Sequence, residues 1–242
     1  MVIPEFVRTV TIYALIPAIA MVIGGVLSAR FPPGPRIRSI FQHIAAGVVF
    51  AAVAGELLPE ITETHDVTGV TVGFAIGIGL MLAMRKLTEP TSRPAEQDLN
   101  TKGLVITVGV DLLIDGLLVG IGFAAGAEVG VLVTIALTLE VLFLGLATAA
   151  SLSQAGASQT RLIVTSIGLG LLIVLSAIVG AVILGGISGT AYAAVLGFGS
   201  AALLYLVTEE LLVEAHEVPE TPLATASFFV GFLALLVIEM LA

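Results

Sequence analysis

Three acidic residues lie inside long apolar stretches of this sequence: Asp111, Asp115 and Glu140. Asp111 and Asp115 are four residues apart, so a helix places both carboxylates on one face. Counted at about 1.5 Å per residue from the ends of their apolar runs, Asp111 lies roughly 12 Å deep and the other two lie roughly 18 Å deep. In a hydrocarbon core about 30 Å thick, these depths are close to the midplane.

The sequence offers these acids no fixed counter-charge. Every Lys and Arg falls in a connection or at a helix end, and His43 is the only histidine inside an apolar stretch. Carboxylates without such a partner need protons or a bound cation. We therefore interpret the three acids as a cation site; the alternative is that they are protonated and serve as hydrogen-bonding groups in helix packing. Because the chain has no cysteine, oxygen and imidazole are the metal ligands that remain.

The composition places these acids in a membrane protein. Of 242 residues, 58% are hydrophobic and 11% are charged, and the mean hydropathy is +1.15. A soluble domain carries about 25% charged residues, so this chain cannot cover a water-exposed surface and a compact soluble enzyme is excluded. The net charge of −9 leaves no basic patch for nucleic acid.

The apolar runs are long enough for eight membrane spans of about 20 residues each. We predict an all-α polytopic membrane protein that forms a single transmembrane domain over residues 1–242, in contact with the lipid bilayer. The predicted spans cover residues 9–29, 37–60, 67–87, 103–127, 129–154, 161–185, 191–214 and 222–241.

Basic residues predict the orientation of these spans. Eight of the nine Lys and Arg fall in the connections after the first, third and fifth spans: Arg30, Arg36, Arg38, Arg85, Lys86, Arg93, Lys102 and Arg161. Because cytoplasmic loops are enriched in Lys and Arg, we expect both termini outside and loop 88–102 in the cytosol. The expected location is the cell membrane, either a plasma membrane or an inner membrane.

A short sequence match predicts an internal repeat. The second span ends in ELLPE at 56–60 and the seventh ends in ELLVE at 210–214. In the predicted topology these two spans cross in opposite directions, as in transporters built from inverted repeats. The match pairs the first three spans with the last three and leaves the fourth and fifth between them.

Polar residues near the span ends extend a predicted cation pathway. An acidic outer connection and an acidic inner end could gather cations or simply be solvated. Pro59 has no N–H, so it frees the carbonyl of Gly55 and predicts either a kink or an ion-binding mouth beside Glu56. The candidate pathway residues are His43, Glu56, Glu60, Glu210, Glu214 and His216.

Three of the spans resemble the Zrt/Irt-like (ZIP) family of divalent-metal transporters. The second span, QHIAAGVVFAAVAGELLPE, is similar to the family's second helix, which ends His-Leu-Leu-Pro-Glu, with Glu56 at the His position. In the fourth span, DLLIDG at 111–116 stands where the family has His-Asn/Ser-x-x-Asp/Glu-Gly. In the fifth, EVLFLGLA at 140–147 aligns with His-Glu-Ile-Pro-Glu-Gly-Leu-Ala.

The resemblance implies that Asp111, Asp115 and Glu140 are metal ligands. Residues at other positions that are polar or ligating in the family are apolar here, which favours one metal over two: Leu112, Val141 and Leu144. Carboxylates suit harder cations such as Mn²⁺, Fe²⁺ or Mg²⁺, whereas Zn²⁺ prefers nitrogen and sulfur. Zn²⁺ remains a candidate if waters or His43 complete its shell.

The resemblance also implies a carrier without enzymatic activity or a covalent cofactor. Its cargo would be a divalent cation that enters the cytosol by alternating access, as a bundle of the first, fourth, fifth and sixth helices moves against the others. The family relationship further implies a homodimer.

Two other readings stay open. The acids could carry protons in a transporter of an organic cation. They could also form an intramembrane aspartyl protease, although there the two aspartates face each other from separate helices, whereas Asp111 and Asp115 share one helix.

Overall fold

Eight long helices make up the part of the chain that the computed structural model describes, which comprises residues 3–30, 34–88, 101–184, 186–219 and 221–241. Residues 89–100, most of the predicted cytosolic loop, lie outside it. The helices are α1 (Ile3–Arg30), α2 (Pro35–Thr64), α3 (Val67–Thr88), α4 (Thr101–Ala125), α5 (Ala127–Gln154), α6 (Gln159–Leu184), α7 (Gly189–Ala215) and α8 (Pro222–Leu241). They match the eight predicted spans.

All eight helices are long and apolar enough to cross a membrane, which makes the chain an integral membrane protein. One face of α6 illustrates the reason. Leu171, Leu175, Val179 and Val182 recur at helical spacing, and each is more than half exposed. A continuous apolar stripe of this kind is ordinary against lipid and unfavourable against water.

The helices form two groups. In the first bundle, α1 packs on α5 and α6, and α4 packs on the same two helices. In the second bundle, α2 packs on α8, α3 packs on α7, and α2 meets the lower part of α7. The first bundle contains the four helices that the ZIP resemblance groups together.

Two contacts in the second bundle join helices that the predicted inverted repeat would pair. At Gly47 of α2, an added Cβ would lie 2.0 Å from the carbonyl oxygen of Phe228 in α8. At Gly197 of α7, it would lie 2.5 Å from the carbonyl oxygen of Val70 in α3. The glycines thus allow the α2–α8 and α3–α7 backbones to touch in the same way.

Both α2 and α7 are interrupted at the position of the sequence match. A π-helical turn spans Val53–Leu57 in α2 and Leu206–Leu211 in α7. In α2 the turn immediately precedes Leu58 and Pro59, so the deviation predicted from the proline is a π turn. In α7 the matching position is Val213, so a proline is not required for the same local structure.

Close packing against α6 fixes the face of α4 that carries the aspartates. A Cβ at Gly116 would lie 1.8 Å from Ser176 Oγ and 2.4 Å from the Ile173 carbonyl oxygen. Gly116 follows Asp115 directly, and its contact with α6 turns the Asp115 side chain toward the remaining neighbours of α4. Small residues at this seam therefore orient the acid.

We use two terms for the ends of the molecule. The basic end is the end where α1, α3 and α5 finish, and it carries Arg30, Arg38, Arg85 and Arg161; the other is the opposite end.

Candidate functional site

Asp115 of α4 and Glu140 of α5 meet inside the first bundle. Their side chains are only 3% and 4% exposed, and the two carboxyl groups approach within hydrogen-bonding reach. Asp115 Oδ2 and Glu140 Oε2 nevertheless find no hydrogen-bond partner among the described residues. Two touching carboxyls cannot both be ionised unless a cation lies between them; without one, they hold a proton.

Asp111 lies one helical turn from Asp115 on the same face of α4. It is half-buried and lines a cavity of about 510 Å³ between the two bundles. Glu140 lines the same cavity from α5, and Glu210 and Glu214 line it from α7. The cavity therefore collects carboxylates from both bundles.

The cavity occupies the half of the molecule nearer the basic end and reaches Glu140 of the buried pair. Near the basic end its walls include Gln42, Arg85 and Thr107. Beside Asp111, Asp115 and Glu210, a separate void measures about 10 Å³, which is about the space of one water molecule. Asp115 lines this void, whereas Asp111 and Glu210 line both the void and the cavity.

The charges near the buried pair are all negative. Among the described residues, the groups that act electrostatically on Asp115 and Glu140 are each other and the carboxylates of Asp111, Glu210 and Glu214. The groups that these described residues place around the pair are therefore acids, which repel one another when ionised.

One basic residue does reach the cavity. Arg85 lies in the last turn of α3, lines the cavity near the basic end and forms an ion pair with Glu209 of α7 at 2.6 Å. By sequence, Arg85 is counted among the basic residues of the connection after the third span. The length of the Arg side chain, which allows the charged head to reach away from its helix, explains the difference.

Glu56 and Glu60, two of the predicted pathway residues, lie away from this cavity. Glu60 lines a separate cavity of about 350 Å³ at the opposite end and accepts a hydrogen bond of 2.6 Å from the Tyr192 hydroxyl. Glu56 is half-buried in the π turn of α2, where a Cβ on the neighbouring Gly55 would lie 2.7 Å from Glu239 Oε2. Neither glutamate meets Asp115 or Glu140.

His43 and His216 contact each other, with ring centroids 5.2 Å apart. His43 is 3% exposed, and its Nδ1 lies 2.8 Å from the carbonyl oxygen of Ser39. Neither of these two histidines is among the described residues that line the 510 Å³ cavity. The structure therefore does not bring His43 to the three acids.

The three predicted ligands do not form a closed metal shell in this conformation. Within the described ranges, no group of three or more His, Asp or Glu side chains has the arrangement of a metal site. Asp115 and Glu140 meet directly, while Asp111 lies nearer the cavity. The facing pair comes from two helices, which the sequence spacing of Asp111 and Asp115 alone did not indicate.

Gln42 is the main polar residue of the cavity wall that the sequence analysis left out. A glutamine carries no charge, and in an apolar run it resembles an ordinary packing residue. Its position seven residues into α2 was the available signal, because a polar side chain at that depth needs a partner.

No protein-family model and no curated protein matches the chain. The resemblance to the ZIP family therefore rests on the motifs quoted above.

Proposed function

We propose that the protein is a ZIP-like carrier that moves a divalent cation across the membrane, with Asp111, Asp115 and Glu140 as ligands. The observation that carries this proposal is the contact between the buried carboxyls of Asp115 and Glu140, each with one oxygen that lacks a partner. A cation between them would satisfy both oxygens and compensate the clustered negative charge.

The ligand chemistry favours a hard cation. The described residues offer carboxylates around the cavity and the small void beside it, and the two described histidines of this half lie elsewhere. Mn²⁺ and Fe²⁺ suit oxygen ligands. Mg²⁺ also binds oxygen, but it gives up its coordinated waters less readily. Zn²⁺ is the less favoured cargo, because it prefers nitrogen and sulfur.

The orientation assigned in this proposal rests on the basic residues, and entry of the cation into the cytosol rests on the ZIP resemblance. By the positive-inside rule the basic end faces the cytosol, so the cavity opens inward and both termini lie outside. Alternating access would then require the first bundle to move against the second. The proposal also includes the cell membrane as the location of the protein and a homodimer as its assembly.

Uptake by the purified protein in liposomes tests the proposal. Asp115→Asn keeps the size of the side chain and removes the charge, so Mn²⁺ uptake should fall to the level of empty liposomes. Glu128→Gln, an exposed acid in the first turn of α5, is the matched control and should transport normally. Equal uptake by both variants would overturn the site assignment.

A second candidate function is a proton-coupled carrier of an organic cation. Two observations favour it: the cavity of about 510 Å³ is within the range of small-molecule sites, and no three metal-ligating side chains are grouped among the described residues. In this case the buried carboxyl pair would carry protons. Uptake of a fluorescent organic cation that depends on a pH gradient and is insensitive to Mn²⁺ would select this function over metal transport.

A further inference from the structure

Two histidines lie together near the basic end, apart from the carboxylates of the cavity. His43 of α2 is 3% exposed, whereas His216, which directly follows α7, is exposed. Their ring centroids are 5.2 Å apart and their ring planes are 81° to each other. The pair thus joins a buried imidazole to one that the aqueous phase can reach.

This separation is the one that two imidazoles have when they bind the same tetrahedral metal ion. A Zn–N bond is about 2.0–2.1 Å long, and the ring centre lies about 1.1 Å beyond the nitrogen, which places each ring centre about 3.2 Å from the metal. Two such distances at the tetrahedral angle of about 110° separate the ring centres by about 5.2 Å. Rotation of the rings about their side-chain bonds, at nearly constant spacing, would aim a nitrogen of each at one ion.

The hydrogen bond of His43 leaves a suitable nitrogen for a metal. His43 Nδ1 lies 2.8 Å from the carbonyl oxygen of Ser39. Because a carbonyl oxygen only accepts, Nδ1 carries the hydrogen of the neutral ring and the lone pair is on Nε2. Metal-binding histidines almost always donate their second ring N–H to a backbone carbonyl or a carboxylate in this way, which fixes the orientation of the ring.

Polar contacts hold α2 and α7 together beside the two histidines. Arg38 forms an ion pair with Glu217 at 2.9 Å, and Ser39 Oγ donates a hydrogen bond of 2.7 Å to the Ala215 carbonyl oxygen. Binding of a metal therefore does not have to bring the helices together, which lowers its cost. With Glu214, the ionised groups here are two acids and one base, a balance that suits a cation.

We infer that His43 and His216 bind one borderline transition-metal ion, of the class of Zn²⁺, Ni²⁺ or Cu²⁺, with waters as its other ligands. Imidazole suits these metals, whereas carboxylates suit Mn²⁺ and Mg²⁺. Neither histidine is among the described residues that line the 510 Å³ cavity, so this site is separate from the proposed cargo site. Binding of Zn²⁺ to the protein would therefore not by itself identify Zn²⁺ as the cargo.

Cu²⁺ titration of the full chain in detergent, followed by pulsed electron paramagnetic resonance, tests the inference. The method counts the imidazoles bound to each Cu²⁺ through their nitrogen nuclei. Any affinity tag that contains histidine is removed first, and excess Mg²⁺ occupies the carboxylates, which it prefers to imidazole.

We expect wild-type protein to bind Cu²⁺ with two imidazoles. His216→Gln, at an exposed position, should leave at most one imidazole and weaken Cu²⁺ binding by about tenfold or more. His43→Gln should have the same effect. Because His216 is exposed, its variant remains informative even if the change at buried His43 destabilises the fold.

His65→Gln is the matched control. His65 is the third of the three histidines in the sequence and is exposed at the opposite end, so its replacement should leave the two-imidazole signal unchanged. Wild-type Cu²⁺ bound by oxygen alone, or by a single imidazole, would overturn the inference. Equal losses of Cu²⁺ binding in His65→Gln and His216→Gln would also overturn it.

The histidine site and the proposed transport function fail separately. Loss of the two-imidazole signal in Asp115→Asn would place the copper at the acids and overturn the histidine site. A wild-type protein that gives the two-imidazole signal but takes up no Mn²⁺ in liposomes would retain the histidine site and remove the transport function.

Discussion

Helices α2 and α7 have the same local structure in different surroundings. Each carries a π turn that contains glutamate, with Glu56 in α2 and Glu209 and Glu210 in α7. Around Glu210 the bundles separate into a 510 Å³ cavity, whereas at the turn of α2 the Glu239 carboxylate lies against Gly55. The sequence motif therefore places an acid at a π turn, and the neighbouring helices decide whether a cavity forms there.

The hydrogen bonds at the two ends explain part of this difference. At the opposite end, the Tyr192 hydroxyl contacts Glu60 of the second bundle and, at 3.3 Å, the Ala125 carbonyl oxygen of the first. At the basic end, the Gln42–Glu214 and Arg85–Glu209 contacts both stay inside the second bundle. Among the described residues, a polar contact thus joins the bundles at the opposite end, whereas beside the cavity they are joined by an apolar one, the stacking of Phe41 of α2 on Phe143 of α5 at 4.4 Å between ring centroids.

The largest expected effect is the difference in uptake between variants of two glutamates, Glu140 beside the cavity and Glu56 in the π turn of α2. Glu140→Gln should reduce Mn²⁺ uptake in proteoliposomes by more than about 100-fold, as expected for loss of a direct ligand. Glu56→Gln, which lies away from the cavity, should retain most of the uptake. If Glu56→Gln is as inactive as Glu140→Gln, the two halves contribute equally and the comparison fails.

The paired glycines of the second bundle test the repeat itself. A Cβ at Gly73 would lie 1.8 Å from the Ala194 carbonyl oxygen, and a Cβ at Gly231 would lie 2.2 Å from that of Ile44. Because the obstacle is backbone in both, Gly73→Ala and Gly231→Ala should each destabilise the protein by about 1–3 kcal/mol, seen as a lower Tm in detergent.

Gly79 is the control on α3. A Cβ there meets no described atom within 4 Å, so Gly79→Ala should leave Tm unchanged or raise it, since Ala favours a helix over Gly by about 1 kcal/mol. If Gly73→Ala lowers Tm strongly and Gly231→Ala does not lower it, the α3–α7 and α2–α8 pairs do not pack alike.

Removal of the Tyr192 hydroxyl should loosen the opposite end. The probe is Ile121→Cys, a buried α4 position that contacts α7 near Gly199, in a chain without other cysteines. Tyr192→Phe should speed thiol labelling there by about fivefold, since one hydrogen bond contributes about 1 kcal/mol. Tyr13→Phe, whose ring contacts Phe123 inside the first bundle, should leave the rate unchanged.

The smallest effect concerns Asp66, between α2 and α3. The Gly69 N–H donates to Asp66 Oδ1 at 2.9 Å, and this bond, with a further one from Thr190, lowers the pKa of the Asp66 carboxyl below its ordinary value. Because the folded-state pKa is the lower one, the carboxylate stabilises the protein above the unfolded-state pKa, and this contribution is lost as pH falls through the folded-state pKa. Asp66→Asn should therefore flatten the fall of Tm with pH in the acidic range; an unchanged profile would contradict the assignment.

The sequence predicted the helices better than the contacts between them. Eight spans follow from apolar length alone. The match between 56–60 and 210–214 falls at a π turn in both helices, and the inverted repeat stays a prediction. Depth and the family resemblance predicted Asp115 and Glu140 in one site, but the direct contact of their carboxyls without Asp111 was not predicted, since it depends on the faces that α4 and α5 turn toward each other. Those faces are set by packing such as that of Gly116 on Ser176.

Side chains that act at a distance from their helix were also missed. Arg85 reaches the cavity although it lies in the last turn of α3, and Gln42 lines it although it is uncharged. Conversely, His43 was a candidate ligand by depth, but its ring contacts His216. Depth along a helix is readable from sequence, whereas the direction of a side chain around the helix requires the neighbouring elements.

Anomalous diffraction from Mn²⁺-soaked crystals tests the central claim most directly. We predict a peak between the carboxyls of Asp115 and Glu140, with Asp111 near it, and no peak there in Asp115→Asn crystals soaked in the same way. Absence of density among these three acids in the wild-type protein at saturating Mn²⁺ would contradict the metal-carrier account.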